Sequence, residues 1–282
     1  MNLPAELKNG FVRRPRDANK YTVGTVVVVG GSVRYPHAPA VAGLGARAAG
    51  AGLVQLVVPD ASRIAAGALV PEATLTDIAA TCEPPRADVA VVGMGLGLSD
   101  SSDATVSRLL SGSCGRFVLD ADALTILASW QGRAEGYRPA EGQELILTPH
   151  EGEAARLLGL ERGHVFDDRL AAAREIVGRY GATVVLKGPE TLVVSADGSR
   201  VYRNLTGNPF MAMGGMGDLL AGVIGARWAY LKDDPFLAAA SSVWLHGAAS
   251  DALVAEFVDP SVAHTADRIG SIRVRLDSSA EA

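Results

Sequence analysis

Six short segments carry residue types that can do chemistry, and each sits at the end of an apolar run or opens a helix. The most suggestive is GNPFMAMGGMGDLLAGVIG, residues 207–225, where Gly214, Gly215 and Gly217 precede Asp218 at the start of an apolar helix. Glycines at a helix N-terminus bare the backbone amides, and bare amides there form an anion site. An aspartate in that first turn can cap the helix. It can also take a proton from a hydroxyl that attacks a phosphoryl group held by those amides. No GK[ST] follows, so the segment is not a P-loop.

The other five segments are less specific taken singly. In VVVVGGSVRYPHAPAVAGLGARAAGAGLVQLVVP, a strand ends in Gly30–Gly31–Ser32 and a small-residue helix follows a loop. The spacing does not fit a dinucleotide-binding GxGxxG, and Asp60 is a loose match to a ribose-binding acid. Close packing through Ala42, Gly43, Ala46 and Gly50 accounts for part of the glycine content. VVGMGLG places Gly93, Gly95 and Gly97 straight after a strand, where backbone can approach a ligand or simply turn. FVLDADAL puts Asp120 and Asp122 at a strand end, suited equally to a polar ligand and to helix capping. ILTPHEGEAARLLG has His150 in a loop, with Glu151 and Glu153 opening a helix whose dipole suits both acids. VVLKGPETLVV reads as a hairpin with Lys187 at the first strand end. Its Lys187–Thr191 turn is able to sit beside a nucleotide phosphate or in solvent.

Elements that position these segments follow from periodicity. Strands are expected at Thr25–Val29, Leu53–Val58, Asp88–Val92, Arg116–Leu119, Glu144–Leu147, Thr183–Leu186 and Thr191–Val194. Helices are expected at Pro39–Ala51, Ala61–Leu69, Ser102–Leu110, Ala121–Ala128, Glu151–Leu158, Asp168–Tyr180, Gly217–Tyr230 and Pro235–Glu256. Continuous Val/Ile/Leu runs suit parallel strands covered on both faces. The alternation implies an α/β fold, a three-layer α/β/α sandwich around a mostly parallel sheet. Residues 131–143 read as a surface loop, and the tail after Val258 as weakly patterned, fraying at DSSAEA. Without a composition break, residues 1–282 read as one domain.

The bulk composition excludes several classes. The chain has 282 residues, 48% apolar and 20% charged, enough to bury a full core. A net charge of −5 gives no basic footprint for nucleic acid or an anionic membrane. The N-terminus has no signal-like apolar region, and no stretch reaches the ~20 apolar residues of a membrane span. Cys82 and Cys114 lack a partner cluster and read as idle thiols of a reducing compartment. The expected location is the cytoplasm.

Taken together, the segments resemble the ribokinase-like superfamily, whose members carry G-x-G-D at a phosphate-binding helix. More closely, they resemble the ADP/ATP-dependent NAD(P)H-hydrate dehydratase family. Its marks are GGS, GxGLG, LDADAL, LTPHxGE, KGxxT and NPxMAxGGxGD. They correspond here to Gly30–Ser32, Gly93–Gly97, Leu119–Leu124, Leu147–Glu153, Lys187–Thr191 and Asn208–Asp218, in the right order. The resemblance implies repair of hydrated NADH or NADPH. The C6 hydroxyl is phosphorylated and phosphate is eliminated, with ADP as co-substrate in bacterial-type members and ATP in eukaryotic ones.

Carried onto this sequence, the resemblance makes Asp218 the base, and Gly215 and Gly217 the cradle of the transferring phosphoryl group. Lys187, Gly188, Pro189, Glu190 and Thr191 line the nucleotide site. Ala38, Gly95, Gly97 and His150 contact the hydrated dinucleotide, while Asp120, Asp122 and Asn208 form a polar wall. No direct metal ligand is assigned, but Asp120 is a candidate partner for a hydrated Mg2+. The resemblance also implies a homotetramer without an epimerase domain, working with a separate epimerase. Phe210, Met213 and His37 depart from the family pattern and are candidates to narrow the pocket or alter nucleotide preference. Two other readings remain: a small-molecule kinase of the same fold, and a NAD(P)-binding dehydrogenase or regulatory protein. LTPHEGE and the early GGS loop argue against the first, and the missing GxGxxG against the second.

Overall fold

A computed structural model describes residues 2–79, 86–131, 137–161 and 167–280. The chain alternates strand and helix through β1 (Thr25–Val29), α2 (Ala38–Ala48), β2 (Leu53–Val58), α3 (Asp60–Leu69), β3 (Thr74–Asp77) and β4 (Val89–Val92). A short helix α1 (Lys20–Val23) precedes β1. The series continues with α4 (Asp100–Leu110), β5 (Arg116–Leu119), α5 (Asp122–Trp130), β6 (Glu144–Leu147), α6 (Glu151–Leu158) and α7 (Arg169–Tyr180). A hairpin extension follows, β7 (Thr183–Leu186), β8 (Leu192–Val194) and β9 (Val201–Arg203). Three helices close the chain: α8 (Met216–Leu231), α9 (Pro235–Ala255) and α10 (Val262–Ser279).

The strands form one nine-stranded sheet in the order β3-β2-β1-β4-β5-β6-β7-β8-β9. It is parallel from β3 through β7 and antiparallel across β7, β8 and β9. The expected α/β sandwich is present. Residues of β1 show why: Val26 and Val28 enter the core under α2, α8 and α9, while Val27 and Val29 enter the core under α4, α5 and α6. A strand buried on both faces calls for a near-continuous run of apolar, β-branched side chains, and the four valines of TVVVV supply it. Helices α8 and α9 are apolar nearly all round because both lie inside the helical layer, not on its surface. Helix α8 crosses α2 at close range, and a Cβ at Gly222 would collide with the Ala42 carbonyl.

Seven expected strands and eight expected helices appear, several with both ends in place and none with an end moved by more than three residues. The short edge strands β3 and β9 were not expected. Each is three or four residues long with exposed positions, so little hydrophobic pattern marks it. The weakly patterned tail instead forms α10, capped by Ser261. Its buried stripe is thin and mixes Ala266, Ile269 and Ile272 with Thr265 and Asp277, which conceals the helical period. The expected loop at 131–143 is irregular where described; residues 132–136 lie outside the described residues, as do Cys82 and the last two residues of the tail. Cys114 is partly buried, and burial pushes its thiol up.

The order of strands reverses at β1, between β2 and β4. Ligands of open α/β sheets bind outside the carboxyl ends of strands at such a switch point. Because β1, β4, β5, β6 and β7 run parallel, their following loops all emerge at one edge. Those loops are the segments at Gly30, Gly93, Asp120, His150 and Lys187.

Candidate active site

Asp218 is the third residue of α8 and lies in its first turn. The N-cap is Gly215, at φ 92°, and no side chain caps this end. Asp218 therefore is not a cap, and among the described residues its carboxylate makes no hydrogen bond. Burial, then the neighbouring Asp120 charge, pushes its pKa up to about 7. Lys187 opposes that rise, and Glu153 and Asp122 add to it. A carboxylate that titrates near neutrality, without a structural partner, is able to accept a proton at physiological pH.

Lys187 faces this turn. A Cβ at Gly217 would lie 3.3 Å from Lys187 Nζ and 3.8 Å from Asp120 Oδ2, so glycine here lets the helix end approach the ion pair. Lys187 Nζ donates to Asp120 Oδ1 at 2.6 Å and lies 3.8 Å from Glu153 Oε2. Burial alone would depress the ammonium, but the Asp120 and Glu153 carboxylates outweigh it and raise its pKa. Burial likewise raises Glu153, with Lys187 pulling the other way. One lysine thus stands among several carboxylates, an excess of buried negative charge.

The helix-capping reading of the DADAL aspartates does not hold. The N-cap of α5 is Ala121, which adopts φ 51° and carries no capping side chain. A non-glycine residue there is strained by ~1–3 kcal/mol, and the kink sets Asp120 and Asp122 to separate tasks. Asp120 is almost wholly buried against Lys187. Asp122 Oδ2 accepts the Gly97 amide at 2.7 Å and so fixes the Gly93–Gly97 turn.

His150 is the N-cap of α6. Its Nδ1 accepts the Gly152 and Glu153 amides at 3.0 and 3.2 Å. Its own amide donates to Glu153 Oε2 at 2.8 Å. The loop-histidine and helix-dipole readings of this segment therefore miss its main feature, a buried glutamate that links His150 to Lys187. His150 and Lys187 also form a parallel bridge, with the Lys187 amide donating to the Pro149 carbonyl at 2.8 Å.

Arg169 is a residue that sequence reasoning missed. Its guanidinium donates to the carbonyls of Leu186, Lys187, Pro189 and Glu190 and pairs with Glu151 at 3.1 Å. It pins the whole turn after β7. A signal existed: a cation at a helix N-terminus is unfavourable to the dipole and calls for a local partner.

On one side of this centre, Lys187–Thr191, Asn208 and Gly217 line a cleft of about 600 Å³. Thr191 Oγ1 donates to the Gly188 carbonyl at 3.0 Å. Asn208 borders the cleft while its amide bonds Ser250, Asp251 and the Phe210 amide. Phe210 is 62% exposed and Met213 37%, and the cleft wall is built instead from their neighbours Pro209, Met211 and Ala212. His37 is an exposed N-cap of α2. On the other side, a Cβ at Gly95 would lie 2.5 Å from Tyr35 Cβ and 3.2 Å from Ala38 Cβ, which brings the Gly30 loop and the Gly93 loop together. Ala38 is one helical turn from Val41, whose Cγ1 would lie 3.7 Å from a Cβ at Gly215.

Fold and site define a ribokinase-like α/β protein, with a glycine-fronted helix and a basic-capable carboxylate facing a lysine. A family model described as NAD(P)H-hydrate dehydratase matches residues 26–273. The chain belongs to the NAD(P)H-hydrate dehydratase family. It is 42% identical over 247 residues to the ADP-dependent (S)-NAD(P)H-hydrate dehydratase of Neisseria meningitidis, covering 86% of this chain and 81% of that one. It is 37% identical over 251 residues to the bifunctional NAD(P)H-hydrate repair enzyme Nnr of Escherichia coli, covering 87% of this chain and 46% of that protein. The chain thus spans about half the length of such bifunctional relatives. The crystal structure of the ADP/ATP-dependent NAD(P)H-hydrate dehydratase from Bacillus subtilis, co-crystallized with ATP/Mg2+, superposes with TM-score 0.85 at 29% identity, covering 98% and 99% of the two chains. A Staphylococcus aureus pyridoxal kinase shares the fold at TM-score 0.53 and 18% identity, covering 80% and 86%. Among the described residues no helix is long and apolar enough to cross a membrane.

Proposed function

We propose that the protein is an ADP-dependent (6S)-NAD(P)H-hydrate dehydratase, one domain built on the single sheet. The observation that carries the proposal is Asp218, a half-buried carboxylate whose pKa is pushed up to about 7 at a bare glycine helix end beside Lys187. ADP seats its phosphates against the Lys187–Thr191 turn and the amides around Gly215 and Gly217. Hydrated NADH or NADPH lies on the Ala38, Gly95, Gly97 and His150 side, with its C6 hydroxyl toward Asp218.

Asp218 takes the hydroxyl proton as the oxygen attacks the β-phosphorus of ADP, and the bond to the α–β bridging oxygen breaks to release AMP. Helix-end amides and Lys187 stabilise the charge on the transferring group. The ring nitrogen then pushes its lone pair toward C6, the C–O bond breaks and phosphate leaves. Loss of the neighbouring ring proton restores the dihydronicotinamide. Hydroxide is a poor leaving group and phosphate a much better one, which is what the phosphorylation achieves.

Mg2+ fits the site by its donor chemistry, since it favours one or two carboxylates plus phosphate oxygens and water. The buried excess of carboxylates offers that, with Asp120 the residue to hold it through water; when bound, the ion supplies neutralisation of phosphate charge. We further assign the enzyme to the cytoplasm as a homotetramer, with the opposite epimer supplied by a separate epimerisation reaction.

The test is direct. The protein is incubated with hydrated NADH plus ADP or ATP while dihydronicotinamide absorbance and AMP or ADP release are followed. Recovery matched to nucleotide consumption is expected. No recovery with either nucleotide sinks the proposal, and nucleotide consumption on a different alcohol substrate would favour a kinase of the same fold.

A further inference from the structure

Polar side chains around the 600 Å³ cleft are nearly all committed. Lys187 is paired with Asp120, Glu190 with Arg203, and Thr191 with the Gly188 carbonyl. Asn204 and Thr206 bond each other and the backbone, and Asn208 bonds Ser250 and Asp251. His246 is the exception. It lies on α9 at the cleft wall, 6% exposed, and its Nε2 is enclosed without a hydrogen-bond partner among the described residues. Burial alone holds the imidazole down at about 4, so the ring is neutral at pH 7, one nitrogen a donor and the other an acceptor.

A buried, unpartnered ring nitrogen is costly unless something completes it. Its immediate surroundings on the wall are Val243 and Gly247 of α9, with Leu220 of α8 lying one turn beyond Gly217. The combination of apolar walls with a single uncommitted hydrogen-bonding edge is unsuited to phosphate, which calls for cations and amides. It suits a flat, heteroatom-edged group. We propose that His246 is the hydrogen-bonding contact for the nucleoside end of a nucleoside diphosphate seated in this cleft, its phosphates directed to Lys187 and Gly217. The assignment rests on the nucleotide reading given above and adds the residue that recognises the nucleoside.

The experiment uses side-chain nitrogen NMR of the whole protein, whose five histidines make the His246 signals assignable through a His246→Gln variant. Saturating ADP shifts the His246 ring nitrogens by several ppm, while inorganic pyrophosphate leaves them in place. His246→Leu weakens ADP binding about tenfold by calorimetry, the effect of one polar contact left unmade, and His246→Gln retains most of the affinity. Unmoved His246 signals with ADP bound, or wild-type ADP affinity in His246→Leu, overturns the assignment while leaving the nucleotide site intact. A wild-type protein that binds no ADP removes the nucleotide reading itself. Should His246→Leu fail to fold, the NMR comparison of ADP with pyrophosphate on the wild type decides alone.

Discussion

Replacing Asp218 by asparagine should make the protein more stable and nearly inactive, and the two effects should share one pH dependence. The carboxyl titrates at about 7 in the fold against 3.8 for the ordinary group. Below pH 4 both folded and unfolded chains hold the proton, so this side chain costs nothing. As pH rises toward 7 the unfolded chain ionises while the folded one resists, and the native state loses stability. Above pH 7 the loss is complete and amounts to about 4 kcal/mol. Asparagine keeps the shape without the charge. Burying its amide takes back about half, which leaves the variant ~2 kcal/mol more stable at pH 8, or roughly 5 °C in Tm. Turnover should fall 10²- to 10⁴-fold, about the contribution of a positioned base, with ADP affinity nearly unchanged. Wild-type kcat/KM should rise with pH through about 7, and the residual activity of Asp218→Asn should be flat there. Thermal melts at pH 4 and pH 8, together with the pH–rate profile, provide the check. A Tm advantage that does not grow with pH, or turnover within threefold of wild type, refutes the role given to Asp218.

Three further outcomes follow from the geometry. Arg169→Ala frees four carbonyls of the 186–190 turn and should raise the KM for nucleotide about tenfold with kcat within threefold, read by steady-state kinetics; an unchanged KM would show that the turn holds its shape unaided. Gly222→Ala drives a Cβ into the Ala42 carbonyl and should cost about 3 kcal/mol in urea unfolding, whereas Gly217→Ala meets only the tip of Lys187 and should fold normally but turn over poorly.

What the sequence reveals most clearly is what repeats locally. Strands such as TVVVV show their two-sided burial in every residue, and α6 begins and ends where its residues say. Edge strands β3 and β9 escape because they are short and hold only one fully buried residue between them, and α10 escapes because its packing stripe includes Thr265 and Asp277. In the site, the glycines before Asp218 and the Lys187 turn are legible as local patterns. The long-range pairings are not. Asp120 meets Lys187 across 67 residues and Asp122 meets Gly97 across 25, so the sheet order has to be known before either partner can be named. Helix capping was a reasonable local account of both aspartates, and it fails only because Ala121 takes the cap position with a positive φ. His246 sits in an apolar helix like any core residue, and only the shape of the cleft sets it apart.

The bridge between His150 and Lys187 has a mechanical consequence. It continues the β6–β7 register beyond the strands themselves, so the segment proposed to face the dinucleotide and the segment proposed to face the nucleotide share a common edge. The spacing between them is then set by strand separation, about 4.8 Å, and not by the closing of a lobe. On the proposed placement of the two ligands, this shared edge would act as a fixed gauge, with the depth at which each is seated setting the distance between them.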